Sequence, residues 1–126
     1  MDCFLTLQYR QDVHAGLADV TYRYRVVSYY CPLLDRNSDR QGTGMVEIDI
    51  TSLPDRNLLQ WTADSYCFAF GCIYYGGMED MPGIVFDDGR CIALHVQYRA
   101  SAVKGMENIL KLKVRAEITA CGKMKF

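Results

Sequence analysis

One segment near the end of the chain constrains the fold more than any other. Leu110, Leu112, Val114, Ala116 and Ile118 alternate with Lys111, Lys113, Arg115, Glu117 and Thr119. Successive side chains of an extended strand point to opposite faces, so this segment reads as a strand with one face on a core and the other turned to water or a partner. Met45 to Thr51 repeats the pattern, with Val46, Ile48 and Ile50 on one face and Glu47, Asp49 and Thr51 on the other.

The rest of the chain also reads as strands. Cys3 to Gln11 alternates, and Thr21 to Val27 sets Tyr22, Tyr24 and Val26 against Thr21, Arg23 and Arg25. Tyr66 to Tyr75 is apolar on both faces, which suits a central strand buried on both sides. Ile84-Val85-Phe86 is followed by Asp87-Asp88-Gly89-Arg90, a hairpin signal, with Cys91 to Tyr98 returning as the paired strand. Ser52 to Ala63 is the one good helix: Pro54 loses no N–H early in a helix, Ser52 or Asp55 can cap it, and Leu58, Leu59 and Trp61 supply its apolar side. Pro32 to Gly44 is polar, holds turn formers including Gly42 and Gly44, and is longer than a hairpin needs. Six to eight strands, one short helix and no βαβ rhythm predict a mostly β fold, an antiparallel barrel or sandwich.

Composition excludes several functions. The 126 residues are read as one domain, 1–126, able to bury roughly two-thirds of their unfolded surface. Fourteen basic and 15 acidic residues give a formal net charge of -1, which offers no general field for nucleic acid or anionic membrane. No apolar run approaches the roughly 18 residues of a membrane span. Met1-Asp2-Cys3-Phe4 does not open a signal peptide, so the expected location is the cytoplasm. There Cys3, Cys31, Cys67, Cys72, Cys91 and Cys121 are expected to be mostly reduced and buried.

The search for chemistry is mostly negative. Cys67, Cys72 and His95 are the best metal triple, but Cys67 and Cys72, five apart, point oppositely on a regular strand. Cys91 and His95 share a strand face at a separation of about 13 Å, too far for a hydrogen bond. Asp87-Asp88 and Glu79-Asp80 sit in turn-forming sequence. Lys111, Lys113 and Arg115 with Arg23 and Arg25 form a basic set, which Glu47 and Asp49 on a nearby strand can neutralise as a cross-strand or cross-subunit charge ladder. No cofactor is expected. Two alternatives stay open: a monomeric barrel binding a small ligand among the nine tyrosines, and a cysteine-dependent enzyme.

The order of elements resembles the Hcp-like tube proteins (TssD) of type VI secretion systems, in a compact variant. The likeness runs over roughly residues 22–118 and rests on Tyr24 to Tyr30, the polar loop, the Val46 to Thr51 strand, the Asp55 to Trp61 helix, the Asp87 to Gly89 hairpin and the closing alternating strand. It implies an antiparallel β-barrel of two sheets with one short helix at the side. It also implies a non-enzymatic subunit whose hexameric rings stack into a tube, carry effectors and work with a contractile sheath and a spike. Export would then proceed through that apparatus without a signal peptide. In that family the loop after the second strand reaches a neighbouring ring, which here corresponds to Leu33, Leu34, Asp35, Arg36, Asn37, Ser38, Asp39, Arg40 and Gln41. The charged faces, Arg23, Arg25, Glu47, Asp49, Lys111, Lys113 and Arg115, would meet adjacent subunits or line the lumen.

Overall fold

The strands are β1 (Cys3–Tyr9), β2 (Tyr22–Tyr30), β3 (Gln41–Thr51), β4 (Ala69–Tyr75), β5 (Ile84–Ser101) and β6 (Gly105–Ala120), with short helices α1 (Arg10–His14) and α2 (Arg56–Ala63). A computed structural model describes residues 2–16, 20–35, 41–77, 82–101 and 105–120. Each strand is antiparallel to its neighbours, in the order β1-β2-β3-β6-β5-β4, and β4 returns to β1 to close a barrel. The pairing therefore runs as one continuous barrel and does not divide into the two sheets expected. Closure gives every strand a neighbour on each side along part of its length.

Alternation decides what fills the barrel. Leu5, Leu7, Val46, Ile48, Ile50, Leu110, Leu112, Val114, Ile73, Ile84 and Phe86 are essentially inaccessible. A barrel of few strands has room inside for side chains alone, and each such side chain contributes roughly 1.5–3 kcal/mol by leaving water. Between them Glu47, Asp49 and Thr51 on β3 and Lys111, Lys113 and Arg115 on β6 take the opposite face, as the alternation requires, while Ile109 at the start of the paired stretch is also buried.

α2 closes one flank of this core. Asp55 caps it, accepting the Leu58 N–H at 2.8 Å, and the Tyr24 hydroxyl donates to the same carboxylate at 2.7 Å. Leu58 and Trp61 are buried, Trp61 meeting Tyr9 edge-on at 5.9 Å and donating its indole N–H to the Gly89 carbonyl at 3.0 Å. Leu59, expected to pack with them, is 51% exposed. One residue along a helix turns a side chain by about 100°, and the Leu58 and Trp61 pair, three apart, fixes which face is inside.

Several boundaries differ from the sequence reading. The first strand stops at Tyr9, and Arg10 starts α1, its N–H donating to the Phe68 carbonyl at 2.9 Å. The Asp87-Asp88-Gly89-Arg90 run is no hairpin, because β5 passes straight through it to Ser101. The ladder with β6 shifts register between Asp87 and Arg90 and again between Cys91 and Ala93, so the run is a β-bulge. Asp88 takes a φ of 52°, and Gly89 lies buried beneath the Phe86 ring. A turn would have exposed that glycine; here a strand on each side of β5 holds it inside.

β4 is likewise not buried on both faces. No second layer covers its outer side among the described residues, where Phe70 is 41% exposed, and Tyr66 lies before the strand, 84% exposed. Cys72 is half-buried there, and Tyr74 is sheltered beside the Phe4 ring at 5.9 Å.

Candidate assembly surface

The outer wall formed by β2, β3 and β6 carries the charges singled out above. Register sets Glu47 opposite Lys113, Asp49 opposite Lys111 and Met45 opposite Arg115. Lys111 Nζ lies 3.2 Å from Asp49 Oδ1, and the Ser28 hydroxyl donates to Asp49 Oδ2 at 3.2 Å. Directly opposed unlike charges on a sheet attract, though a partly exposed pair contributes only about 0–1 kcal/mol. The pairing on this wall therefore adds little to the stability of the barrel.

Arg23 and Arg25 do not join that set. Both lie on β2 toward β1, where the Arg23 guanidinium stacks 3.8 Å over the Phe4 ring and Arg25 Nη2 lies 3.2 Å from Asp2 Oδ1. β3, with its carboxylates, separates them from β6. Two other outward pairings were not visible in the sequence: Arg90 opposite Arg115, and Asp87 opposite Glu117. The hairpin reading of residues 87–90 turned β5 away from β6 at this point, and only the bulged register brings them together.

The loop singled out for ring stacking is only partly described. Pro32–Asp35 forms one 3-10 turn, with Leu33 packed on the core beside Gly42 and Gly44. Gln41 already belongs to β3, and Gly42 has a φ of 149° that favours glycine. Arg36, Asn37, Ser38, Asp39 and Arg40 lie outside the described residues, as do Glu79 and Asp80.

The β5–β6 ribbon outruns its neighbours. β4 last pairs with β5 at Ala69 opposite Gly89, and β3 last pairs with β6 at Thr51 opposite Ile109. Beyond these points, β5 to Ser101 and β6 from Gly105 pair only with each other among the described residues. Ile92 and Val96 on this ribbon are each 44% exposed. An unpaired strand edge with exposed apolar side chains readily accepts another chain.

The candidate chemical groups are dispersed. Cys91 faces the core, its thiol accepting from Thr62 Oγ1 at 3.4 Å and donating to the Ala93 carbonyl at 3.4 Å, whereas His95 is exposed opposite Lys111. Cys67 is buried ahead of β4, and Cys72 lies within it. Burial pushes the thiols of Cys3, Cys67 and Cys91 up, away from the reactive thiolate. Asp87 accepts the Asp88 N–H at 2.8 Å, and Asp88 pairs with Arg10. Among the described residues no group of three His, Cys, Asp or Glu side chains is placed to hold a metal ion.

The fold is thus a closed antiparallel barrel with a capped helix on its flank and a projecting ribbon. The same fold occurs in a chain of the cryo-EM structure of the anti-feeding prophage (AFP) baseplate, 6-fold symmetrised: the TM-score is 0.52 over 95% of this chain and 93% of that one, at 7% identity. No family model and no curated protein matches the sequence.

Proposed function

We propose that the chain is a non-catalytic structural subunit of a contractile injection machine. Within that class, the sequence resemblance favours the inner tube of a type VI secretion system, built from stacked hexameric rings. The observation that carries the reading is the barrel shared over nearly the whole length of both chains with a chain of the 6-fold symmetrised anti-feeding prophage (AFP) baseplate. At 7% identity the likeness is one of fold, so the finer assignment rests on the surfaces.

Those surfaces suit assembly. The β5–β6 ribbon offers unpaired edges, the β3–β6 wall offers a patterned charge face, and the segment Leu33 to Gln41 is the candidate contact between rings. A heterologous contact repeated by a sixfold rotation closes on itself and covers the edges it uses. Effectors would occupy the lumen, and sheath and spike proteins would be the outer partners. In this reading residues 1–126 act as one domain, made in the cytoplasm and exported with the tube.

The ligand-barrel alternative fits less well. The inward positions are filled by Leu5, Leu7, Ile48, Ile50, Phe86, Leu112 and their neighbours, all inaccessible. Raised thiol pKa values and the separation of Cys91 from His95 weigh against the cysteine enzyme. The proposal is tested by the mass in light scattering at high protein concentration and low salt. A mass of several subunits supports it, and a monomer throughout contradicts it.

A further inference from the structure

Arg90 and Arg115 stand directly opposite one another on the outer face of β5 and β6, both exposed. Like charges so placed repel, and a sheet usually sets an unlike charge across. Among the described residues no carboxylate lies within ion-pair distance of either arginine. The pair helps line a cleft of about 180 Å³ with Thr43, Asp88 and Glu117. Asp88 is neutralised by Arg10, and Glu117 accepts the Thr43 hydroxyl. Two guanidinium groups against the one remaining carboxylate leave the cleft cationic by a single charge, which a monoanion balances and a dianion overshoots. Guanidinium forks take carboxylates in bidentate fashion, so a carboxylate is the anion that suits two facing arginines.

A second cleft, of about 150 Å³, lies across the β5 bulge, with Asp87 on its wall where the first has Asp88. Arg10 joins the two, lining the second cleft while pairing with Asp88 of the first. The apolar wall is Phe68, 4.8 Å beneath the Arg10 guanidinium, with Phe70 and Val13, each 41% exposed. An enclosed apolar cavity of similar size holds a benzene ring. Phe70 lies on β4 and Arg115 on β6, with β5 between them. At a strand spacing of about 4.8 Å the apolar and cationic clefts are thus roughly 10 Å apart, a span that an extended chain covers in about three residues.

We propose that the two clefts form one docking site for an acidic segment of another protein. An apolar side chain of the segment sits on Phe68, Phe70 and Val13, and a carboxylate three residues along is forked between Arg90 and Arg115. The site is complete within a single copy, so it goes beyond self-assembly and holds whether or not the chain forms rings.

Fluorescence anisotropy tests it with a labelled, end-blocked peptide that carries phenylalanine and aspartate three positions apart in a glycine–serine background. Affinity should fall at least tenfold when the aspartate is replaced by asparagine, and by a similar factor when the phenylalanine is replaced by alanine. Against Arg90→Gln and Arg115→Gln the preference for aspartate over asparagine should disappear. Both positions are exposed, and urea midpoints no lower than the wild type's confirm that the variants fold. Phe70→Ser should weaken the aspartate and asparagine peptides alike. Absent binding, equal binding of those two peptides, or a preference that survives both arginine variants overturns the proposal. Displacement of the peptide by an equal concentration of inorganic phosphate would show a site for free anions and overturn it as well. Each of these failures leaves the assembly reading standing, because none measures subunit association.

Discussion

The ring of Phe86 lies so close over Gly71 that a β-carbon built on that glycine would stand 2.2 Å from Phe86 Cζ. Gly89 approaches the same ring from β5, where a β-carbon would fall 2.7 Å from Cε1. Two strands thus remove their side chains to seat one phenyl group. Gly71→Ala should destabilise the protein by about 1–3 kcal/mol through overpacking, and Phe86→Ala by about 3–5 kcal/mol through the cavity it leaves. Gly71→Ala combined with Phe86→Ala should cost less than the sum of the two single changes, because the clash and the cavity share one space. Urea midpoints for the singles and the double measure this; strict additivity would contradict the seating.

Trp61 is the only tryptophan and is 1% exposed, so its fluorescence reports on the α2 contact with the barrel. Trp61→Phe keeps most of the packing but leaves the Gly89 carbonyl without its donor, a loss of about 1–3 kcal/mol. Asp55→Ala removes both the cap on Leu58 and the acceptor for Tyr24, and should cost about 1–2 kcal/mol or somewhat more. Tyr24→Phe in the Asp55→Ala background should cost less than in the wild type. Chemical denaturation of the four proteins reads that coupling directly.

Stability should fall in alkali. Burial, with Asp55 adding to it at Tyr24, holds the phenol pKa values of Tyr9 and Tyr24 well above their ordinary value of 10.0. A group with a raised folded pKa favours the protonated native state, so its contribution is fully present below the unfolded pKa. It is lost as pH rises from about 10 toward the folded values, at up to about 1.4 kcal/mol per pH unit for each phenol. The urea midpoint should decline above pH 10, and Tyr9→Phe should flatten that decline. An unchanged slope in the variant would contradict the assignment.

The thiols give an independent check on burial. Cys67 and Cys91 are inaccessible and raised in pKa by burial, so an aromatic disulfide reagent at neutral pH should leave them unmodified until denaturant is added. Peptide mapping after brief labelling identifies the sites. Rapid native labelling of Cys91 would revive the enzyme alternative.

How much of this was legible follows from where each signal is decided. The β3 and β6 patterns were readable because a single core face imposes alternation along the strand, and the cap was narrowed to Ser52 or Asp55, of which the structure uses Asp55. The Asp87 to Arg90 run misled because Asp-Asp-Gly is chemically the same at a turn and at a bulge. What separates the two is Phe86 seated between Gly71 and Gly89, a contact across strands. Leu59 was misplaced for a similar reason, since Leu58 and Leu59 are equal candidates until Tyr9 and Gly89 fix the position of Trp61. The Arg90 and Arg115 pairing depends on bulged register, which no local pattern encodes.

Negative-stain microscopy of the purified chain tests the central claim most directly. The account predicts closed rings of uniform diameter with sixfold symmetry, singly or in short stacks, and stacks that disappear when residues 36–40 are shortened while the rings persist. A field of single barrel-sized particles at concentrations where the wild type is folded, with no closed rings, would contradict it.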